Sequence, residues 1–236
     1  LNPNLDLNIS DYVTINFEGL ATIIDKLGGI DINITEDEKY YINHYMDENM
    51  AVTGIQSSKV TKSGAVHLDG LQATAFCRIR YCSFTDSNGK KYTDDLGRTA
   101  RQRYVLSLLV DKAKQAGVKK LLGIAEEIFS GNTDFIKTSI EYDLMMDMIP
   151  AFIDFELGET RGFPFTYDFP PNSLTNGESA IAVGGLSYNV SKLHEFLYGD
   201  GSYTPSNHVQ GLDTKLKNML GVEDILLPED KKDNVQ

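Results

Sequence analysis

The stretch "DYVTINFEGLATIIDKLGGIDINITEDE", Asp11 to Glu38, decides how the fold is read. Tyr12, Thr14 and Asn16 alternate with Val13, Ile15 and Phe17, the period of a strand with one face in a core. From Glu18 the period changes, and Leu20, Ile23, Ile24 and Leu27 share one helical stripe. Gly28-Gly29 supplies the helix stop. Ile30, Ile32 and Ile34 then alternate with polar residues as a second short strand. Strand, helix, glycine turn and strand in this order read as a βαβ-type unit. The expectation is an α/β protein with helical layers against a sheet.

Working outward, residues 36–46 read as a helix and "DENMAVTGIQSSKVTKSGAV" (47–66) as a polar loop. A long helix is expected from about Asp95 to Gln115, and another from Val118 to Phe129. "SIEYDLMMDMIPAFIDF" (139–155) reads as an apolar helix with Thr138 or Ser139 as N-cap and a kink or stop at Pro150. Met145, Met146 and Met148 read there as core filler. "SAIAVGGLSYNVSKLHEFLYG" (179–199) gives strand, turn and helix, with Asn189 or Ser191 capping. No repeat or linker divides the chain, so one domain is expected over residues 1–227, followed by a charged tail at 228–236.

The 236 residues suffice to bury a sizeable core. No run approaches the ~20 apolar residues of a membrane span. A net charge of −12 argues against broad binding to DNA or RNA. Cys77 and Cys82, placed on one extended strand, lie too far apart to bridge. The four histidines lack metal-ligand spacing, and no nucleophile elbow, phosphate loop or dinucleotide fingerprint is present. "EDEKYYINHYMDE" (36–48) reads as a solvated amphipathic face rather than a sugar-binding platform.

One segment departs from this ordinary balance. "RIRYCSFTDSNGKKYTDDLGRTARQR", Arg78 to Arg103, holds five of the six arginines. At about 100° per residue, Asp95, Arg98 and Gln102 continue the stripe of Val105, Leu106 and Leu109 and are expected to point inward. Arg101 and Arg103 fall on the flanks, as surface residues. If "RIR" is extended, Arg78 and Arg80 project to one face. A structural Asp95–Arg98 ion pair accounts for part of this pattern. Converging arginines instead suit phosphate oxygens, which planar guanidinium forks bind well. An aspartate among them makes sense as the holder of Mg²⁺ or Mn²⁺ beside substrate phosphates.

"HLDGLQATAFCRIRY" (67–81), "DDLGRTARQRYVLSLLVDKAK" (94–114) and the opening stretch together resemble the LytR–CpsA–Psr family of cell-wall ligases, over roughly residues 5–115. The resemblance implies a three-layer α/β/α sandwich with a mixed central sheet, expected to be incomplete in this chain. It implies a phosphotransferase on the extracytoplasmic face of the cell membrane. Such an enzyme moves a glycopolymer from a polyprenyl-pyrophosphate carrier onto peptidoglycan, with Mg²⁺. Arg78 and Arg80 match the pair that holds the pyrophosphate, Arg98 and Gln102 match the helix residues completing the cradle, and Asp95 matches the helix-start aspartate. Val105, Leu106 and Leu109 are candidates for lining the lipid pocket. The family's upstream Arg-Asp motif is not found in residues 1–20. The chain alone is therefore expected to be weakly active or inactive, and membrane anchoring is expected only through a segment outside it. A non-catalytic envelope module that binds phosphorylated lipid or glycan, and a regulatory (transcriptional attenuator) protein, are the alternatives.

Overall fold

The computed structural model describes residues 1–130, 134–168, 182–183 and 185–220. The first half runs α1 (Asn2–Leu5), β1 (Val13–Ile15), α2 (Phe17–Lys26), β2 (Ile30–Ile34), α3 (Glu36–Thr53), β3 (Gly64–Leu68) and α4 (Gly70–Arg78). There follow β4 (Phe84–Thr85), β5 (Lys91–Tyr92), α5 (Asp94–Ser130), β6 (Ile136–Thr138), α6 (Tyr142–Phe152), β7 (Tyr167–Asp168), β8 (Ala182–Val183), α7 (Leu186–Tyr198) and α8 (Asn207–Leu220). These residues group into two compact units, Asp11–Thr160 and a smaller one formed by Leu1–Ser10 with Arg161–Gln236. No break in composition marks the boundary.

In the larger unit, Asn16 caps α2 by accepting from the Gly19 N–H at 2.9 Å, and Gly28 and Gly29, both at positive φ, end it. The expected α2 stripe holds, with Ile24 and Leu27 buried. β2 alternates as expected, its three isoleucines buried and Asp31 and Asn33 exposed. Asp69 caps α4 by accepting from the Gln72 N–H, and Gln72 reaches back to the Asp69 N–H. Gly70 lies so close to α2 that a Cβ there would fall 1.9 Å from the Ala21 carbonyl oxygen. Ile24, Ile30, Ile42, Met46, Leu68, Leu71, Phe76, Ile79 and Val105 form the core between α2, β2, α3, β3, α4 and α5.

The α/β class holds, but the strand pairing differs from the βαβ reading. β1 pairs antiparallel with β6 and β2 antiparallel with β3, so β1 and β2 share no sheet. Among the described residues the strands form four two-stranded antiparallel ladders. All three β1 residues are exposed, against the expectation of a buried face. The polar run after residue 46 is also not all loop. α3 continues to Thr53 because Met46, Asn49 and Met50 sustain the helical period, and Gly54 in the left-handed region ends it. Gly117, at φ 77° and ψ 161°, breaks α5 where the sequence separates two helices. Cys77 lies in α4, not on a strand, and is buried. α6 carries Pro150 within its last turn, starts after Glu141 and buries none of its residues. Met148 is exposed and Met145 and Met146 half-buried, so the methionines are not core filler.

In the smaller unit, Leu186, Val190 and Val209 pack with Leu5, Tyr203, Leu212 and Leu216. Asn189 does not cap α7, which begins at Leu186. Its buried side chain accepts from the N–H groups of Phe165 and Thr166 and donates to the Thr166 and Gly185 carbonyls. The expected tail at 228–236 lies outside the described residues.

Candidate functional site

Arg78 is the last residue of α4, and Ile79 after it is extended (φ −62°, ψ 128°) and fully buried. The two arginines of "RIR" therefore flank a residue anchored in the core. Arg78 donates to the Asn49 side chain and, at 2.9 Å, to Glu48 on α3. Its guanidinium carbon lies 4.7 Å from the Phe17 ring centroid and 5.0 Å from that of Tyr45. These distances allow cation–π attraction on both rings. Burial pushes the Tyr45 hydroxyl above its ordinary pKa, with the charges of Arg78 and Arg80 pulling the other way.

The segment between "RIR" and α5 folds into the β4–β5 hairpin. Asp86 closes its turn, accepting from the Asn88 and Lys90 N–H groups. This hairpin returns the chain so that Asp95 meets both arms of the arginine segment. Arg80 Nε lies 3.0 Å from Asp95 Oδ1, and Arg98 Nη2 lies 3.3 Å from Oδ2. Gln102 donates to the carbonyl of Cys77, next to Arg78, at 3.3 Å. Arg98 Nε and Asn49 Nδ2 are buried donors with no hydrogen-bond partner. Arg80, Asp95, Arg98 and Gln102 thus come together, and Arg78 sits alongside, held by α3 and Phe17. Asp95 and Gln102 are exposed rather than turned inward.

The inward stripe of α5 is rotated by about one residue from the expected one: Gly97, Ala100, Arg101 and Val105 are buried. Arg101, expected on the surface, is 0% exposed. Its Nη2 lies 2.9 Å from Glu38 Oε1. The same guanidinium donates to the carbonyls of Ile79, Cys82 and Ser83, and to Cys82 Sγ at 3.3 Å. Glu38 has two tasks, because its Oε2 also accepts from the Thr35 N–H in the α3 capping box. Burial without partners would exclude such a charge from a core; the partners come from two other segments, Glu38 on α3 and residues 79–83, which the periodicity of α5 does not reveal. The clue in the sequence was Glu38 at the capping-box position. Cys77 is deeply buried and its thiol is pushed up to about 12. Burial also raises Cys82, against the opposing charge of Arg101.

The three candidate lipid-pocket residues do not face one space. Val105 is 2% exposed in the core, Leu109 packs at its edge and Leu106 is 59% exposed. A cleft of about 680 Å³ lies elsewhere, lined by Asp31, Asn33, Lys62, His67, Gln72 and Tyr104 among others, with none of the arginine-cluster residues. No group of three or more His, Cys, Asp or Glu side chains among the described residues is placed to hold a metal. Asp95 therefore offers a single carboxylate. That suits Mg²⁺, an ion that takes one or two carboxylates and draws its other ligands from substrate phosphates and water.

Fold and cluster together define a mixed α/β domain with guanidiniums from two segments gathered around one carboxylate. The LytR_cpsA_psr family model matches residues 1–166, and the chain belongs to that family. It is 33% identical over 125 residues to the polyisoprenyl-teichoic acid–peptidoglycan teichoic acid transferase TagV of Bacillus subtilis (strain 168), covering 52% of this chain and 27% of that protein. It is 29% identical over 170 residues to the transferase TagU of Enterococcus faecalis, covering 70% of this chain and 46% of that protein. The chain thus spans between about a quarter and a half of these relatives. Among solved structures, a transcriptional regulator of Enterococcus faecalis aligns with a TM-score of 0.58 at 21% identity, over 94% of this chain and 72% of the other. A protein of Streptococcus agalactiae aligns with a TM-score of 0.53 at 19% identity, over 96% and 62%.

Proposed function

We propose that this chain is the pyrophosphate-gripping part of a cell-envelope phosphotransferase, which moves a glycopolymer from a polyprenyl-pyrophosphate carrier to peptidoglycan. One observation carries the reading: Arg80 and Arg98, from separate segments, meet on Asp95, with Arg78 beside them. The activity of the relatives TagV and TagU, polyisoprenyl-teichoic acid–peptidoglycan teichoic acid transferases, supports it. Arg80 and Arg98 would exchange Asp95 for phosphate oxygens, and Arg78 and Gln102 would fix the orientation of the headgroup. Guanidiniums placed there neutralise the charge that grows on the departing polyprenyl phosphate as a sugar hydroxyl attacks phosphorus. Asp95, released from its arginines, would hold Mg²⁺ or Mn²⁺, and such an ion supplies Lewis-acid neutralisation of phosphate charge. The reading places the domain on the outer face of the membrane, where carrier and peptidoglycan meet.

Calorimetry with farnesyl pyrophosphate tests the cradle. Arg78→Ala and Arg98→Ala are each expected to weaken binding by about tenfold or more, the loss usual for a charge-assisted contact. Unchanged affinity in both variants overturns the reading.

A further inference from the structure

Asn49, within α3, is 0% exposed. Its Oδ1 accepts from Arg78 Nη1, which fixes the way the amide faces. The other end of the amide, Nδ2, is left as a buried donor with no hydrogen-bond partner. A donor stripped of water and unpaired destabilises the fold, and asparagine is among the weaker helix formers. A leucine, nearly the same shape, would fill this buried position with neither penalty. Packing therefore does not account for the residue, whereas its contact with Arg78 does.

We propose that Asn49 is a positioning residue of the anion cradle, acting through Arg78 and touching no ligand itself. The inference rests on the pyrophosphate reading and adds to it a residue from the interior of α3. Two side chains hold the guanidinium by directed bonds: Nη1 donates to Asn49, and Nη2 donates to Glu48 at 2.9 Å. The Phe17 and Tyr45 rings attract its charge but fix no direction. The Glu48 side chain is 58% exposed, and an ion pair so open to water contributes little. Asn49 is the partner anchored in the fold. Charge separates the two partners further. A carboxylate neutralises the guanidinium, whereas a neutral amide oxygen orients it and leaves its full charge for a phosphate. Glu48 can swing into water when an anion arrives, while Asn49 keeps Nη1 in place.

The test is a double-mutant cycle on the 236-residue chain, read by calorimetry with farnesyl pyrophosphate. Asn49→Leu is expected to raise the Kd by about fivefold or more, the loss usual for a hydrogen bond to a charged group. Its midpoint in urea should stay at or above that of wild type. Arg78→Ala removes the group through which Asn49 acts, so adding Asn49→Leu to it should weaken binding no further. A residue that merely stabilised the fold would lower the midpoint and weaken both backgrounds alike. Unchanged affinity in Asn49→Leu, or losses that add to those of Arg78→Ala, overturns the proposal and leaves the cradle standing. A wild-type chain that takes no ligand overturns the cradle and this inference with it. Should Asn49→Leu fail to fold, Asn49→Ala carries the same cycle to the same outcomes.

Discussion

Arg101 donates to the buried Glu38 carboxylate and Ile79 carbonyl and to the partly buried carbonyls of Cys82 and Ser83. Deleting the guanidinium strands a buried carboxylate and the buried Ile79 carbonyl, so Arg101→Met should cost about 3–5 kcal/mol of unfolding free energy. Adding Glu38→Gln removes the stranded charge while leaving an oxygen to cap α3, and the double variant should recover part of the loss. Urea unfolding of the two variants measures this, and a double variant less stable than Arg101→Met would show that the pair does not act as a unit. The consequence reaches beyond stability. The carbonyls that Arg101 gathers flank Arg80 on both sides, so this guanidinium helps to place Arg80 without touching any ligand it would bind.

Among the elements, β2, β3 and α5 meet at Asp31, where Lys112 Nζ lies 2.8 Å from Oδ2 and His67 Nδ1 2.8 Å from Oδ1. The hydrogen bond from Lys112, and then that from His67, hold the Asp31 carboxyl below the usual aspartate range. A depressed folded-state pKa contributes stability that is fully present above the unfolded value and is lost as the pH falls through the folded one. Lys112→Met should therefore move the Asp31 carbon resonance midpoint upward in an NMR titration, and the stability gap between wild type and variant should close in acid. A midpoint that stays in place sinks the assignment. The same elements show what the sequence could convey. Period and caps made α2, β2 and the break at Gly117 legible, because each depends on neighbours within a turn or two. The partner of β1 was not legible: Val13 to Ile15 pair with residues more than a hundred positions away, and alternation specifies a face without naming the strand that covers it. The length of α3 was hidden by the polarity of residues 47–53, where Asn49 is buried as the partner of Arg78.

Over the whole molecule, a net charge of −12 surrounds a single segment holding five of the six arginines. Long-range attraction for polyanions is therefore unfavourable, and recognition falls to short-range pairing. A duplex DNA gel-shift at low salt should show no complex; a shifted band would mean that the cluster acts through its field rather than through fitted contacts. The positions of the site residues were legible as a pattern, but their facing was not. The stripe drawn through Asp95, Arg98 and Gln102 missed the buried one by about one residue of helix phase, because Arg101 is polar in type and internal in place. One feature of the cluster governs how it would behave at rest. With Asp95 seated between Arg80 and Arg98, the domain carries its own competitor: stray monovalent anions must outbid an attached carboxylate, whereas a diphosphate headgroup offers enough oxygens to displace it and still engage both guanidiniums. On the proposed function, selectivity for a diphosphate headgroup over simple monoanions would then come from an occupant tethered to the same chain.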